Sequence, residues 1–462
     1  MPVRPPPGRI ITGHLVRGTR PPPRSHPVAR PIGTGGTRVH VDGSVRVPGD
    51  KSITHRLLLL AAVARGTSHL GGALTSLDAR SSARVLRQLG AEVSPLAAGR
   101  VVRVTGAGRF RQPSGTLHCG NSGTTARLLL GMLAAHRLHA RLTGDRSLRR
   151  RPMRRVTAPL GLMGARFDLG PGDGLPLTIH GGRLRPLRHE LPVSSAQVKS
   201  ALLLAGALGG VEVAVREPDG RSRDHTERLL RWFGFGVTDG PDGWIHLAPG
   251  GRIAPFDLQV PGDPSSAAFL VGAAVLAEGG ELRVTGVGVN PTRTGFLRVL
   301  ARMGARVALE EARDEGGEPV ADLRCTPASL RATTVDAGEI PSLIDEIPLL
   351  AVLAARARGT TTFHDVGELR VKESDRLSLI AENLRAVGLR AEARGDDLVV
   401  EGSEAVPRGR VRTAGDHRLA MAFAVLGTVP GAAIRVDDPR CADVSFPGFA
   451  DALRAIRARR SR

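Results

Sequence analysis

The chain has 462 residues, 41% hydrophobic and 24% charged, with a formal net charge of +21. That length exceeds what one hydrophobic core usually supports, so two domains are expected, and the composition is that of a globular protein rather than a disordered one. No apolar run approaches the roughly 20 residues of a membrane helix, and aromatics at 3% with no tyrosine leave few platforms for stacking nucleic-acid bases.

The positive charge is instead what a cleft for acidic small molecules would carry, and no helix-turn-helix or zinc-finger spacing argues otherwise. Only three of the 65 basic residues are lysine: Lys51, Lys199 and Lys372. Such a skew reflects pressure toward arginine. A lysine that survives it marks a place needing a compact ammonium rather than a planar fork, unless it was kept by chance. Cys119, Cys325 and Cys441 are odd in number and far apart, so neither a disulfide framework nor a zinc site is expected. A reducing cytoplasm fits, and Cys119 reads as a small buried hydrophobe.

In chain order, residues 1–36 are rich in Pro, Arg and Gly, with Pro5-Pro6-Pro7 and Pro21-Pro22-Pro23 and no apolar stretch of signal-peptide type. Their acid-poor composition suits a transit peptide, but the prolines oppose an amphipathic helix, and a basic disordered extension is the better reading. From Thr37 a pattern recurs in which a polar or glycine-containing start runs into an Ala/Leu-rich helix. The first start, Lys51-Ser52, follows Val47-Pro48-Gly49-Asp50. The second is Asn121-Ser122-Gly123-Thr124 and the third Ser194-Ser195-Ala196-Gln197. The fourth, Asp263-Pro264-Ser265-Ser266, follows Val260-Pro261-Gly262, and nine of the twenty positions counted from Val47 and Val260 are identical. The fifth is Ile344-Asp345-Glu346 and the sixth Gly415-Asp416-His417-Arg418, each roughly 70 residues from the last.

Behind most starts a second helix ends in a glycine and a new apolar segment, as in Leu89-Gly90-Ala91-Glu92-Val93 and Met303-Gly304-Ala305-Arg306-Val307. The glycine supplies a left-handed cap and the alternation after it predicts a strand. The period is too long for a helical solenoid and suits a unit of two helices and several strands, used six times in two groups of three. The repeated Val-Pro-Gly-Asp segments predict the boundaries. Residues 37–49 with 262–462 are expected to form one globular domain and residues 50–261 the other, with the helix starts able to face a common cleft between them.

Six helix starts of this kind present free N–H groups and partial positive charge to phosphate or carboxylate. Taken singly, each Ser, Asn, Asp or Gly there is also an ordinary N-cap. Capping does not account for Lys51, Arg56, Arg127, Arg151, Lys372, Arg376 and Arg418, which lie at or just after these starts or in the neighbouring turns. Gly49-Asp50-Lys51-Ser52 is not a P-loop, because Asp50 breaks the Gly-Lys-Ser run, and no Gly-x-Gly-x-x-Gly or Gly-x-Ser-x-Gly occurs.

These motifs resemble the 3-phosphoshikimate 1-carboxyvinyltransferase (EPSP synthase) family. They are Pro48-Gly49-Asp50-Lys51-Ser52-Ile53-Thr54-His55-Arg56, Gly120-Asn121-Ser122-Gly123-Thr124-Thr125-Ala126-Arg127, Arg151-Pro152-Met153, Ser194-Ser195-Ala196-Gln197-Val198-Lys199-Ser200, Arg370-Val371-Lys372-Glu373-Ser374-Asp375-Arg376 and Gly415-Asp416-His417-Arg418, in order over about residues 38–455. The resemblance implies an α/β fold, a two-domain inverse α/β barrel of six βαβαββ repeats. It implies transfer of the enolpyruvyl group of phosphoenolpyruvate to the 5-hydroxyl of 3-phosphoshikimate in aromatic biosynthesis, by a monomeric cytoplasmic enzyme without cofactor or metal, the target of glyphosate. Partners are the two small-molecule substrates, with no nucleic acid and no membrane.

By the same resemblance, Lys51, Ser52 and Arg56 hold 3-phosphoshikimate, with Lys51 also touching phosphoenolpyruvate. Gly123, Arg151 and Gln197 contact phosphoenolpyruvate, with Arg376 and Arg418 on its carboxylate. Ser195, Ala196 and Gln197 form the acceptor-phosphate site, with Ser222 and Arg223 as further candidates. Asp345 binds the attacking hydroxyl, and Lys372 and Glu373 belong to the binding and proton-transfer segment. Catalysis falls to Asp345 as base toward the hydroxyl, with Glu373 or Lys51 at the methylene carbon. Two positions depart from the family pattern. Asp443-Val444-Ser445 lacks a lysine that some members carry, and Glu368 replaces an asparagine. The rival within the fold, transfer to UDP-N-acetylglucosamine, is usually marked by Lys-Asn at the first motif and a loop cysteine. Here the pair is Lys51-Ser52, and residues 120–193 contain no cysteine.

Overall fold

The structure is a computed structural model and describes residues 39–218 and 220–458; the extension expected over residues 1–36 lies outside the described residues. Each of the six starts opens a helix: Lys51–Val63, Gly123–Ala134, Ala196–Gly209, Pro264–Val275, Ile347–Ala354 and His417–Leu426. Ala and Leu run around all sides of these helices rather than along one stripe, the mark of a helix buried all round. Ser52 through Val63 are all buried. The second helix of a unit is amphipathic by contrast. Leu77–Gln88 turns Ala79, Ala83, Val85 and Leu86 inward. The glycines that follow these helices adopt the left-handed conformation expected of them, Gly90 at φ 95° and Gly304 at φ 96°.

Each of the first five units builds one small sheet, in which the first strand runs parallel to the second and a hairpin follows antiparallel. In the second unit, Leu117–His118 pairs with His139–Thr143, which takes Leu177–His180, which takes Arg166–Leu169. Two units borrow their first strand. The first takes Asp257–Gln259, parallel to Arg65–Gly71, from the far end of its group. The fourth takes His40–Arg46, parallel to Gly279–Gly288, from the start of the described chain. The chain therefore lays one strand in one group, crosses at Val47-Pro48-Gly49-Asp50, completes three units, and returns through Val260-Pro261-Gly262-Asp263. The sixth unit holds only the parallel pair Arg408–Val411 and Ala433–Val436, because Asp437-Asp438-Pro439 leads into a 3₁₀ turn at Pro439–Val444 instead of a hairpin.

The two crossings lie against each other. Asp50 N donates to Pro261 O at 2.7 Å and Asp263 N to Pro48 O at 2.9 Å. Glycine is required at this approach, since a Cβ on Gly49 would stand 2.1 Å from the Gly72 carbonyl oxygen. Arg293, 3% exposed, spans both crossings. Its Nη1 is 2.9 Å from Asp50 Oδ2, and its Nη2 is 3.3 Å from Asp263 Oδ1 and 2.9 Å from Ser265 Oγ. Buried apolar residues gather in two clusters, one from Ile53 to Val260 and the other combining Val39, Val41 and Val47 with Ala267 to Ile456. Cys119 belongs to the first, as a buried hydrophobe. Among the described residues no helix is long and apolar enough to cross a membrane.

Candidate active site

Side-chain capping explains four of the six helix starts. Asp50, Ser122, Asp263 and Asp416 accept from Ile53, Thr125, Ser265 and Arg418 N–H groups respectively. Ser195 and Glu346 make no such bond. The helix starts at Ala196 and Ile347 thus lack the internal acceptor that caps the others, and Asp345 precedes the second by two residues.

Asp345 is the centre of the arrangement. Its Oδ1 is 3.3 Å from Arg376 Nη1 and its Oδ2 is 3.3 Å from Arg418 Nη2, while Arg223 reaches it from the other hydrophobic cluster. Burial alone would raise its pKa, but Arg418, Arg223, Arg376 and Lys372 outweigh burial and hold the carboxyl well below its ordinary range. Glu373, 2.6 Å from Arg376 Nη2, is likewise held low against burial by Arg376, with Arg151 and Lys51. Arg376 has its Nε on Asp416 at 2.8 Å, so its fork is fixed from behind by a helix-capping carboxylate.

Facing these residues, Lys51 Nζ is 3.6 Å from Asp78 Oδ2. Arg151 donates to Asn121 Oδ1 at 2.8 Å, and Gln197 Nε2 donates to Thr124 Oγ1 at 3.0 Å. Gly123 opens its helix with an unexceptional φ, so a tight turn does not demand it. A Cβ there would point between Arg151 Nη1 at 3.3 Å and Arg127 Nη1 at 3.4 Å. Arg223 Nη1 donates to Ser52 Oγ at 3.4 Å. Lys372 Nζ is 3.7 Å from Glu368 Oε1, and burial, opposed by Glu368 and Asp345, pulls its amine below the ordinary value.

The expected residues divide into two kinds. Lys51, Ser52, Gly123, Arg151, Gln197, Arg223, Asp345, Lys372, Glu373, Arg376 and Arg418 come together across the two clusters, while Ala196 opens the uncapped helix. Three others are drawn onto protein partners. Arg56 is buried and donates to Thr226 Oγ1 at 2.7 Å, Ser200 Oγ at 2.7 Å and Ser52 O at 3.0 Å. Ser195 N donates to Glu217 Oε1 at 3.0 Å. Ser222 donates its N–H to Glu217 Oε2 at 3.1 Å and its hydroxyl to the same carboxylate.

The structure adds residues that sequence reading left out of the site. Asp78, whose pKa burial raises in spite of Lys51, looks in sequence like an ordinary first-turn acid after the Ser76 cap. Arg155 pairs with Glu368 at 3.3 Å, so the residue that departs from the family pattern joins the two clusters. Glu346, buried with a raised pKa, accepts from Ser265 and lies 3.7 Å from Arg418 Nη1. Arg127 was legible, standing four residues from Gly123 on the same helical face. His417, whose pKa burial lowers to about 3, is a neutral ring beside these charges. Among the described residues no group of three or more His, Cys, Asp or Glu is placed to hold a metal ion.

A family model described as EPSP synthase (3-phosphoshikimate 1-carboxyvinyltransferase) matches residues 36–453. The chain is 49% identical over 421 residues to the 3-phosphoshikimate 1-carboxyvinyltransferase of Gloeobacter violaceus, covering 90% of this chain and 97% of the relative. It is 50% identical over 413 residues to that of Thermus thermophilus, covering 88% and 94%. Among solved structures it is similar to an EPSP synthase from Acinetobacter baumannii, with TM-score 0.82, 38% identity and 91% and 97% of the two chains covered. An enolpyruvyl transferase, NikO from Streptomyces tendae, shares the fold at TM-score 0.71 and 20% identity, with coverage of 91% and 96%.

Proposed function

The chain belongs to the EPSP synthase family, and on that premise we propose how its cleft moves the enolpyruvyl group of phosphoenolpyruvate to the 5-hydroxyl of 3-phosphoshikimate, releasing phosphate. The observation that carries the reading is Asp345, anchored by Arg376 and Arg418 and reached by Arg223 from the opposite cluster. The two hydrophobic clusters are two domains, residues 37–49 with 262–462 and residues 50–261, and the substrates bind between them. The enzyme is a cytoplasmic monomer. Transfer to UDP-N-acetylglucosamine is not favoured, since the relatives described above carry the 3-phosphoshikimate name.

Arginine forks suit bidentate contact with carboxylate and phosphate. Lys51, Gly123, Arg151 and Gln197 hold phosphoenolpyruvate, with Arg376 and Arg418 on its carboxylate. Ser52, Ser195, Ala196, Ser222 and Arg223 hold the phosphate of the acceptor, and Arg56 braces Ser52 from beneath. Asp345 and Glu373 lie against these same cations. Anionic substrates that engage Arg223, Arg376 and Arg418 relieve the depression of the Asp345 pKa, so its carboxylate becomes a stronger base as the hydroxyl arrives. The hydroxyl oxygen then bonds to C2 and gives its proton to Asp345, while C3 takes a proton from the Lys51 ammonium or from Glu373 in its protonated form. Phosphate leaves C2 as C3 returns a proton. Phosphate release from the purified protein tests the reaction. It is expected with phosphoenolpyruvate plus 3-phosphoshikimate and absent with UDP-N-acetylglucosamine as acceptor, and the reverse pattern overturns the reading.

Both cleft lysines sit beside a carboxylate as compact donors. Lys51→Arg and Lys372→Arg are each expected to lower kcat/KM by roughly tenfold or more, about 1.4 kcal/mol of transition-state stabilisation. Near-normal turnover in both would mean the lysines were retained by accident. Gly123→Ala is expected to leave the melting temperature unchanged, because its backbone is ordinary and the nearest neighbours of the new methyl are guanidinium ends. It should raise the glyphosate inhibition constant more than KM for phosphoenolpyruvate, the inhibitor being the longer of the two. Unchanged inhibition would place Gly123 outside the pocket.

A further inference from the structure

The third lysine, Lys199, lies outside the cleft and is 0% exposed. It projects from the first turn of the uncapped Ala196–Gly209 helix. Its Nζ is 2.6 Å from Glu217 Oε2 and 2.9 Å from Glu227 Oε1, and it donates to Ser222 O at 3.2 Å. Two hydrogen-bond acceptors and a second carboxylate, from three places, thus converge on one nitrogen. An ammonium meets that demand from a single point, whereas a guanidinium spreads its donors over a wider plane and does not fit the same space. Burial works against the charge, but Glu227 and Glu217 outweigh it and raise the Lys199 pKa.

What Lys199 holds is more telling than its own pairing. The Glu217 carboxylate accepts the Ser195 N–H at the helix start and both the N–H and the hydroxyl of Ser222. Arg223, next in the chain, reaches Ser52 and Asp345. Glu227 belongs to the helix His225–Trp232, whose Thr226 accepts from Arg56 Nε and donates to Ser200 Oγ, both at 2.7 Å. Without the ammonium, two buried carboxylates would stand together and the loop carrying Ser222 and Arg223 would lose its anchor to the helix.

We propose that Lys199, with Glu217 and Glu227, is a buried positioning cluster that fixes Ser195, Ser222 and Arg223 as the wall receiving the acceptor's phosphate, and that the position requires lysine. This rests on the reading of those three residues as the acceptor-phosphate site. Calorimetry tests it with 3-phosphoshikimate and, as the probe lacking the phosphate, shikimate. The variants are Lys199→Arg and the charge-balanced Lys199→Met/Glu227→Gln. The second leaves Glu217 in place with its Ser195 and Ser222 donors and keeps the net charge, so it is the variant expected to fold if the first does not.

Kd for 3-phosphoshikimate is expected to rise by at least roughly tenfold in the folded variants, with Kd for shikimate changing by less than about threefold. A lower melting temperature with an unchanged ratio of the two constants would assign the cluster to stability alone and overturn the proposal. Equal weakening of both ligands would do the same. If the wild-type protein does not bind 3-phosphoshikimate, the functional reading itself falls. If it binds and the double variant binds equally well, only this inference falls.

Discussion

Asp345→Asn is expected to lower kcat by roughly 10²–10⁴-fold, the range a positioned general base contributes, while leaving KM for both substrates no higher than in the wild type. The second half follows from the charges around the residue. Arg223, Arg376 and Arg418 all pair with this one carboxylate. Asparagine keeps its shape and hydrogen-bonding oxygen but removes its charge, so the three forks are left freer for anionic ligands. Binding should therefore hold steady or tighten as turnover collapses. Steady-state kinetics of phosphate release, with calorimetric binding of each substrate, separates the possibilities. A rise in KM matching the fall in kcat would make Asp345 a binding group and move the base elsewhere.

Which parts of this cleft were legible in sequence follows from how local each feature is. A start such as Gly120–Arg127 carries its own message. Ser122 caps, Gly123 leaves space, and Arg127 returns to the same face about one turn later, all within a short local segment and visible without a fold. Lys51, Lys199 and Lys372 were visible because an arginine-rich composition made each lysine conspicuous. Partners from distant units were not visible. Asp78 and Arg155 are unremarkable helix residues until the units assemble and set Lys51 beside one and Glu368 against the other.

The same limit governs the fold. Six helix starts and the repeated crossing segments follow from short patterns, but a strand cannot announce which unit it will complete. His40–Arg46 and Asp257–Gln259 are each separated by most of a domain from the strand they pair with. Arg56 illustrates the converse. Its motif is local and unmistakable, yet its orientation is set by Thr226 and Ser200, far along the chain, which hold it against the Ser52 carbonyl.

Arg293→Met is expected to produce the largest loss of stability. The side chain is buried where the two crossings meet, with Asp50 and Asp263 on its fork and, among the described residues, no other cation in an ion pair with either. Burial alone would raise the Asp50 pKa, but Arg293 foremost among its neighbours holds it down at about 2. Removing one partner of such a group leaves charges buried without compensation, at a cost of about 3–5 kcal/mol. For a cooperative unit of this size that is a melting temperature lower by roughly 6–20 °C. The triple variant Arg293→Met/Asp50→Asn/Asp263→Asn should recover more than half of the loss, because asparagine still caps both helices and neither crossing keeps a stranded carboxylate. Recovery would attribute the damage to the stranded carboxylates. A single variant within about 1 kcal/mol of the wild type, the ordinary scale of a point mutation, would mean that Arg293 does not join the crossings energetically. A triple variant no better than the single would trace the loss to packing around the guanidinium instead.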